Sequence, residues 1–214
     1  MDYVNGYAFI LEGDTEKEFY LSFLSYLCEK YDIELNRIVD KDDPDIVYEF
    51  NTGKGKALIK FNTVNTVTQM PRAGKWFNKQ CAGKYNSSCV WNVFLCYDTD
   101  DYKTDITKFH EGDWENLRSS LKKADKVIDV AAAADIEDVM LGDLPGICNF
   151  LGCAIPAELR GAKGKSKLKK LYRESGFTYH EGKRARPLID SLDMEVLIST
   201  NKVPLSDIET LMFK

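Results

Sequence analysis

The run Ser88-Cys89-Val90-Trp91-Asn92-Val93-Phe94-Leu95-Cys96-Tyr97 is almost continuously apolar and stops abruptly at Asp98-Thr99-Asp100-Asp101. So short and apolar a run predicts a central parallel strand, buried on both faces. Such a strand needs helices over both faces, which commits the chain to an α/β layering. Other segments supply the remaining parts. Tyr7-Ala8-Phe9-Ile10-Leu11 reads as a second buried strand ending at Glu12-Gly13-Asp14. The helix expected after it has Asp14 or Thr15 as cap, and Phe19, Phe23 and Leu27 with Tyr20, Leu24 and Tyr31 at helical spacing. Residues 45–50 and 127–132 read as further strands, and residues 114–123 and 136–151 as helices. Residues 53–80 read as helical, although Thr63, Val64, Thr66, Val67 and Thr68 are β-branched and Pro71 should interrupt a helix. The expectation is a mainly parallel four-stranded sheet flanked by helices over residues 1–152. A helical extension follows over residues 153–214, with amphipathic stretches at 187–199 and 205–213.

A chain of 214 residues with 44% hydrophobic content has the means to bury a core, which excludes an intrinsically disordered protein. No basic segment precedes an apolar one at the N-terminus, and no window is apolar for long enough to span a bilayer, so a cytoplasmic protein with no membrane association is expected. The six cysteines are irregularly spaced and form no Cys-x-x-Cys pair, which favours reduced, buried thiols over a zinc site or a disulfide framework. The net charge of −5 argues against a surface coated with phosphate-binding residues but leaves room for a local basic strip. Residues 160–173 supply one, with seven basic residues and no acidic one. On a helix, Lys163, Lys167 and Lys170 would share a face opposite Leu168 and Leu171, where they can neutralise phosphates or lie solvated.

In parallel α/β sheets every strand delivers its last side chains to the carboxyl edge, where ligands gather. Glu12 and the Asp98/Asp100 pair both occupy that position, and Glu16 lies one helical turn after Glu12. Carboxylates crowded at one edge are costly unless a cation compensates, so a hard-metal site is expected. Alone, Glu12 is equally a turn residue, and Asp98-Thr99-Asp100 is equally compatible with a sugar-nucleotide transferase or an aspartate-nucleophile phosphatase. The phosphatase reading weakens because Tyr102 stands where a threonine is expected.

Taken together, Glu12-Gly13-Asp14-Thr15-Glu16, the later Asp98-Thr99-Asp100 and the segment Ile136-Glu137-Asp138-Val139-Met140-Leu141-Gly142-Asp143 resemble the Toprim family. The likeness is greatest to small stand-alone Toprim-like proteins and to the overcoming-lysogenization-defect nucleases, and covers residues 5–150, with a weaker echo at Lys167 and at Tyr179 to Lys183. Val139 departs from it where those proteins often carry an aromatic residue. The resemblance implies that Glu12 is a metal ligand or general acid/base, that Asp98 and Asp100 bind Mg²⁺ or Mn²⁺, and that Glu16 and Glu137 serve a second ion. Asp101 and Asp143 are equally auxiliaries of the site or solvated surface residues, and Lys167 of the basic strip is the candidate transition-state cation. The function implied is metal-dependent cleavage of DNA or RNA, in a phage-defence effector working with a separate ATPase subunit, since the chain has no nucleotide-binding motif of its own; a homo-oligomer is compatible with this. The alternatives are a non-catalytic Toprim-like module that binds nucleic acid or a partner, and a primase-like nucleotidyl transferase.

Overall fold

The computed structural model describes residues 3–39, 45–53, 55–85, 89–99 and 111–214. Its sheet has six strands, in the order β2-β3-β4-β1-β5-β6. They are β1 (Tyr3–Leu11), β2 (Asn36–Ile38), β3 (Val47–Thr52), β4 (Gly55–Thr63), β5 (Val90–Asp98) and β6 (Lys126–Ala132). β4, β1, β5 and β6 run parallel, while β3 is antiparallel to β4 and to β2. The sheet is therefore mixed and wider than the expected four strands. The expected strand at residues 45–50 forms, but it lies antiparallel in a hairpin rather than in the parallel set.

β4 is the main correction to the helical reading of residues 53–80. Ala57, Leu58, Ile59, Lys60 and Phe61 are all buried beside β1. Thr63 belongs to the strand, and Pro71 does not break a helix but sits in the first turn of α2 (Met70–Trp76), where a missing N–H costs nothing. Lys60 is fully buried; its ammonium donates to the Gln80 carbonyl at 3.0 Å and pairs with Asp45 at 3.1 Å, as a buried charge requires.

Alternation along the strands sorts side chains into two cores. Ala8 and Ile10 of β1, with Trp91, Val93 and Leu95 of β5, face α2 and α3 (Glu111–Ser120). Tyr7, Phe9 and Leu11, with Phe94 and Cys96, face α1 (Asp14–Lys30) and the helices of the C-terminal third. Those are α4 (Ile136–Met140), α5 (Leu144–Leu151), α6 (Gly164–Glu174), α7 (Arg186–Ile189), α8 (Met194–Thr200) and α9 (Leu205–Phe213). The long helix expected over residues 136–151 is broken into α4 and α5, because Asp143 caps a new start, accepting from Gly146 N at 2.9 Å, and Pro145 follows. Phe213 stacks on Tyr31 and Phe50, so the last helix closes over the same core as the first strand. The six cysteines are free thiols, all buried except the partly exposed Cys153. Among the described residues no helix is long and apolar enough to cross a membrane.

Candidate functional site

Parallel pairing sets Leu11 of β1 opposite Cys96 of β5, so the residues that follow leave the sheet at one edge. Glu12 N donates to the Cys96 carbonyl at 3.1 Å, and Asp98 N donates to Glu12 Oε2 at 3.2 Å. The two strand ends thereby fix Glu12 beside Asp98. Glu16, in the first turn of α1, folds back over Gly13, where a Cβ would come within 2.8 Å of Glu16 Oε2.

β6 ends on the same edge. Asp135 caps α4, its carboxylate accepting from Asp138 N at 2.7 Å, which turns buried Glu137 inward in the first helical turn. The Tyr179 hydroxyl donates to Glu137 Oε1 at 3.1 Å. Glu12, Glu16, Asp98, Asp135 and Glu137 line one cavity of about 560 Å³, which Lys163, Lys165 and Glu181 complete.

So many carboxylates in a partly closed space oppose one another's ionisation. Burial raises Asp98 well above the ordinary carboxylate range, and the charges of Glu16, Glu12, Asp135 and Glu137 raise it further. Its Oδ1 is buried and has no hydrogen-bond partner among the described residues. Burial, then Asp135 and Glu16, push Glu137 up to about 8 against the lowering effects of the Tyr179 hydrogen bond and Lys165. Burial disfavours the charge on Lys165, but Glu181, Glu137 and Glu16 outweigh it and raise the group. Among the described residues, no group of three or more His, Cys, Asp or Glu side chains is placed so that it could hold a metal ion.

Of the residues singled out from sequence, Glu12, Glu16, Asp98 and Glu137 come together; Asp100 lies outside the described residues. The three lysines do not act as a row. Lys163 precedes α6 and lines the acidic cavity, Lys167 pairs with Asp138 Oδ1 at 2.7 Å and faces a second cavity, and Lys170 lines neither. Asp143 is committed to structure, accepting from Gly146 N and, at 2.8 Å, from Asp193 N. Sequence reasoning did not single out Asp135, Asp138 or Lys165, and met Tyr179 and Glu181 only within the weaker echo of the Toprim likeness at residues 179–183. Asp135 ahead of Ile136 carried a recognisable N-cap signal. The others depend on how α6 and the segment after it fold onto α4, which no local pattern encodes.

No family model matches the chain, and no curated protein matches it. Solved structures that align with it include the 5'-methylthioadenosine/S-adenosyl homocysteine nucleosidase of Campylobacter jejuni, at 14% identity and a TM-score of 0.28, covering 96% of this chain and 99% of that one. A peptidyl-tRNA hydrolase aligns at 11% identity and 0.33, covering 94% and 96%. The futalosine hydrolase of Helicobacter pylori aligns at 8% and 0.30, covering 96% and 99%. None of these three is a Toprim protein. With no family model behind it and these as its structural matches, the Toprim assignment is corrected, and the nuclease and phage-defence readings that depended on it are withdrawn. Likeness at such TM-scores carries no argument about this chain's own substrate.

Proposed function

We propose that the acidic cavity binds a hard divalent cation and presents it to a phosphate-bearing ligand. The observation that carries this reading is Asp98 Oδ1, buried and without a hydrogen-bond partner among the described residues, in a cavity lined by six further carboxylates. A carboxylate so placed is either protonated or compensated by positive charge. Oxygen donors of this kind suit Mg²⁺ or Mn²⁺. Glu12 is held in place by backbone bonds and Glu137 by Tyr179, so two of the donors have fixed positions while Asp98 and Glu16 would have to close on the cation. When bound, such an ion polarises a phosphoryl oxygen or acidifies a water, the chemistry of metal-assisted hydrolysis. Lys163 and Lys165 line the same cavity, Lys165 paired with Glu181, and add positive charge on the side where a ligand's remaining negative charge would lie.

Isothermal titration with Mn²⁺ and Mg²⁺ tests this. Saturable binding with Kd in or below the millimolar range is expected, weakened about tenfold or more by Asp98→Asn or Glu16→Gln. Binding that is absent, or that ignores both substitutions, would overturn it. A second reading is favoured by Glu137, whose raised pKa of about 8 and hydrogen bond to Tyr179 suit a general acid near neutral pH. Carbon NMR of the Glu137 carboxyl separates the two: the cation reading expects Mg²⁺ to lower its titration midpoint, and the acid reading expects no change.

A further inference from the structure

Behind the acidic cavity, across α4, lies a second cavity of about 1060 Å³ whose charge has the opposite sign. Two of its lining residues are lysines on distant elements. Lys167 of α6 donates to Asp138 Oδ1 at 2.7 Å, and Lys202, just after α8, donates to the Asp138 carbonyl oxygen at 2.9 Å. Both ammonium groups are therefore gathered around one residue, and among the described lining residues two positive charges face the one carboxylate of Asp138. That carboxylate is itself engaged, since Asp138 Oδ2 accepts from Gly164 N at 2.9 Å. An ammonium has three donors, and its bond to Asp138 uses one of them. Asp138 thus orients the two lysines without saturating either.

The cavity adds a third donor and room. Thr99 Oγ1 accepts from Ala134 N at 2.9 Å, which leaves the hydroxyl hydrogen to point elsewhere. Ala134 is in the left-handed region, with φ 70°, and the neighbouring Ala133 N donates to the Lys202 carbonyl at 2.6 Å; together these hold the turn after β6 against the loop that carries Lys202. Ala131, Ala133, Ala134 and Ala162 make up much of the remaining described wall.

We infer that this cavity is an anion site for a phosphate group, recognised by Lys167, Lys202 and the Thr99 hydroxyl. The inference goes beyond the cation reading and does not depend on it, because none of these three groups lines the acidic cavity. The two cavities are lined by consecutive residues at the end of β5, one by Asp98 and the other by Thr99.

Inorganic phosphate, titrated at low ionic strength in buffer free of divalent cations, is the probe. Saturable binding is expected, weakened about tenfold by either Lys167→Gln or Lys202→Gln, the loss of one charge-assisted hydrogen bond. Lys202→Arg should retain binding within a few-fold, which separates loss of the donor from loss of the fold. Lys170→Gln makes the same change in net charge outside both cavities and should leave binding unaltered. Dimethyl phosphate, run in parallel, distinguishes the sources: tighter phosphate marks a terminal phosphate group, tighter diester an internal one. No saturable binding of either probe would overturn the proposal, as would equal losses in the Lys202→Gln and Lys170→Gln proteins.

Discussion

Glu137 sets burial and repulsion against two partners that oppose them. With its pKa raised from 4.5 to about 8, the folded state holds its proton over a range in which the unfolded chain releases it. The sign follows from linkage: this stabilising contribution is fully present below about pH 4.5 and is lost as pH rises through about 8. In chelator, stability should therefore fall between pH 5 and pH 8, and Glu137→Gln should flatten that slope and raise the melting temperature at pH 8. Thermal melts across the range measure both; a slope unchanged in the variant would refute the assignment. Glu12 and Asp98 were legible because each ends a buried strand, and pleat and direction then fix where they emerge. Tyr179 was not, because a lone tyrosine in a polar stretch gives no sign of which carboxylate it will meet.

At the scale of elements, the decisive junction is that of α4 and α6. The N-terminus of α6 rests on two aspartates: Gly164 N donates to Asp138 Oδ2, and Lys165 N donates to Asp135 Oδ2 at 3.3 Å. Carboxylates at a helix N-terminus suit its dipole, and only a bare Cα fits at this approach. A Cβ at Gly164 would come within 2.1 Å of Asp135 Oδ1 and 2.2 Å of Asp138 N, and one of these neighbours is backbone. Gly164→Ala should destabilise the protein by about 1–3 kcal/mol, as overpacking does, and weaken cation binding, because Asp135 and Lys163 move with the junction. Urea unfolding and the Mn²⁺ titration check the two effects, and a stability within error of the parent would refute the close approach. Pattern reading failed at element scale wherever a signal was shared. In β4 the β-branched Thr63 and the buried Ala57 to Phe61 run were absorbed into a helix because the glycines before them and Pro71 after them punctuate both kinds of element. The amphipathic helices at the C-terminus were easier, since α9 repeats its apolar face regularly and runs over Leu205–Phe213 as its spacing predicts.

For the whole molecule, the question is what residues 153–214 contribute to the α/β core. Leu168, Leu171, Leu188, Ile189, Leu197 and Ile208 are buried in the same cluster as Phe9 of β1 and Phe19 of α1. Polar ties reinforce the apolar ones: Gly182 N donates to Thr15 Oγ1 at 3.0 Å, and Ser22 Oγ donates to Asp190 Oδ1 at 2.7 Å, both on α1. Six such side chains, at about 1.5–3 kcal/mol each, amount to roughly 10 kcal/mol or more, comparable to the entire net stability of an ordinary domain. A fragment of residues 1–152 would expose the face of α1 that they cover, and would also lose Lys163, Lys165 and Glu181 from the acidic cavity and the Tyr179 hydrogen bond from Glu137. It should therefore show no cooperative thermal transition by near-ultraviolet circular dichroism and no saturable Mn²⁺ binding, and co-expression with residues 153–214 should restore both. A sharp transition in the isolated fragment would mean that the C-terminal helices cover a core able to fold without them. Cation binding by that folded fragment would further place the site wholly in Glu12, Glu16, Asp98, Asp135 and Glu137, with the later lysines and tyrosine dispensable to it.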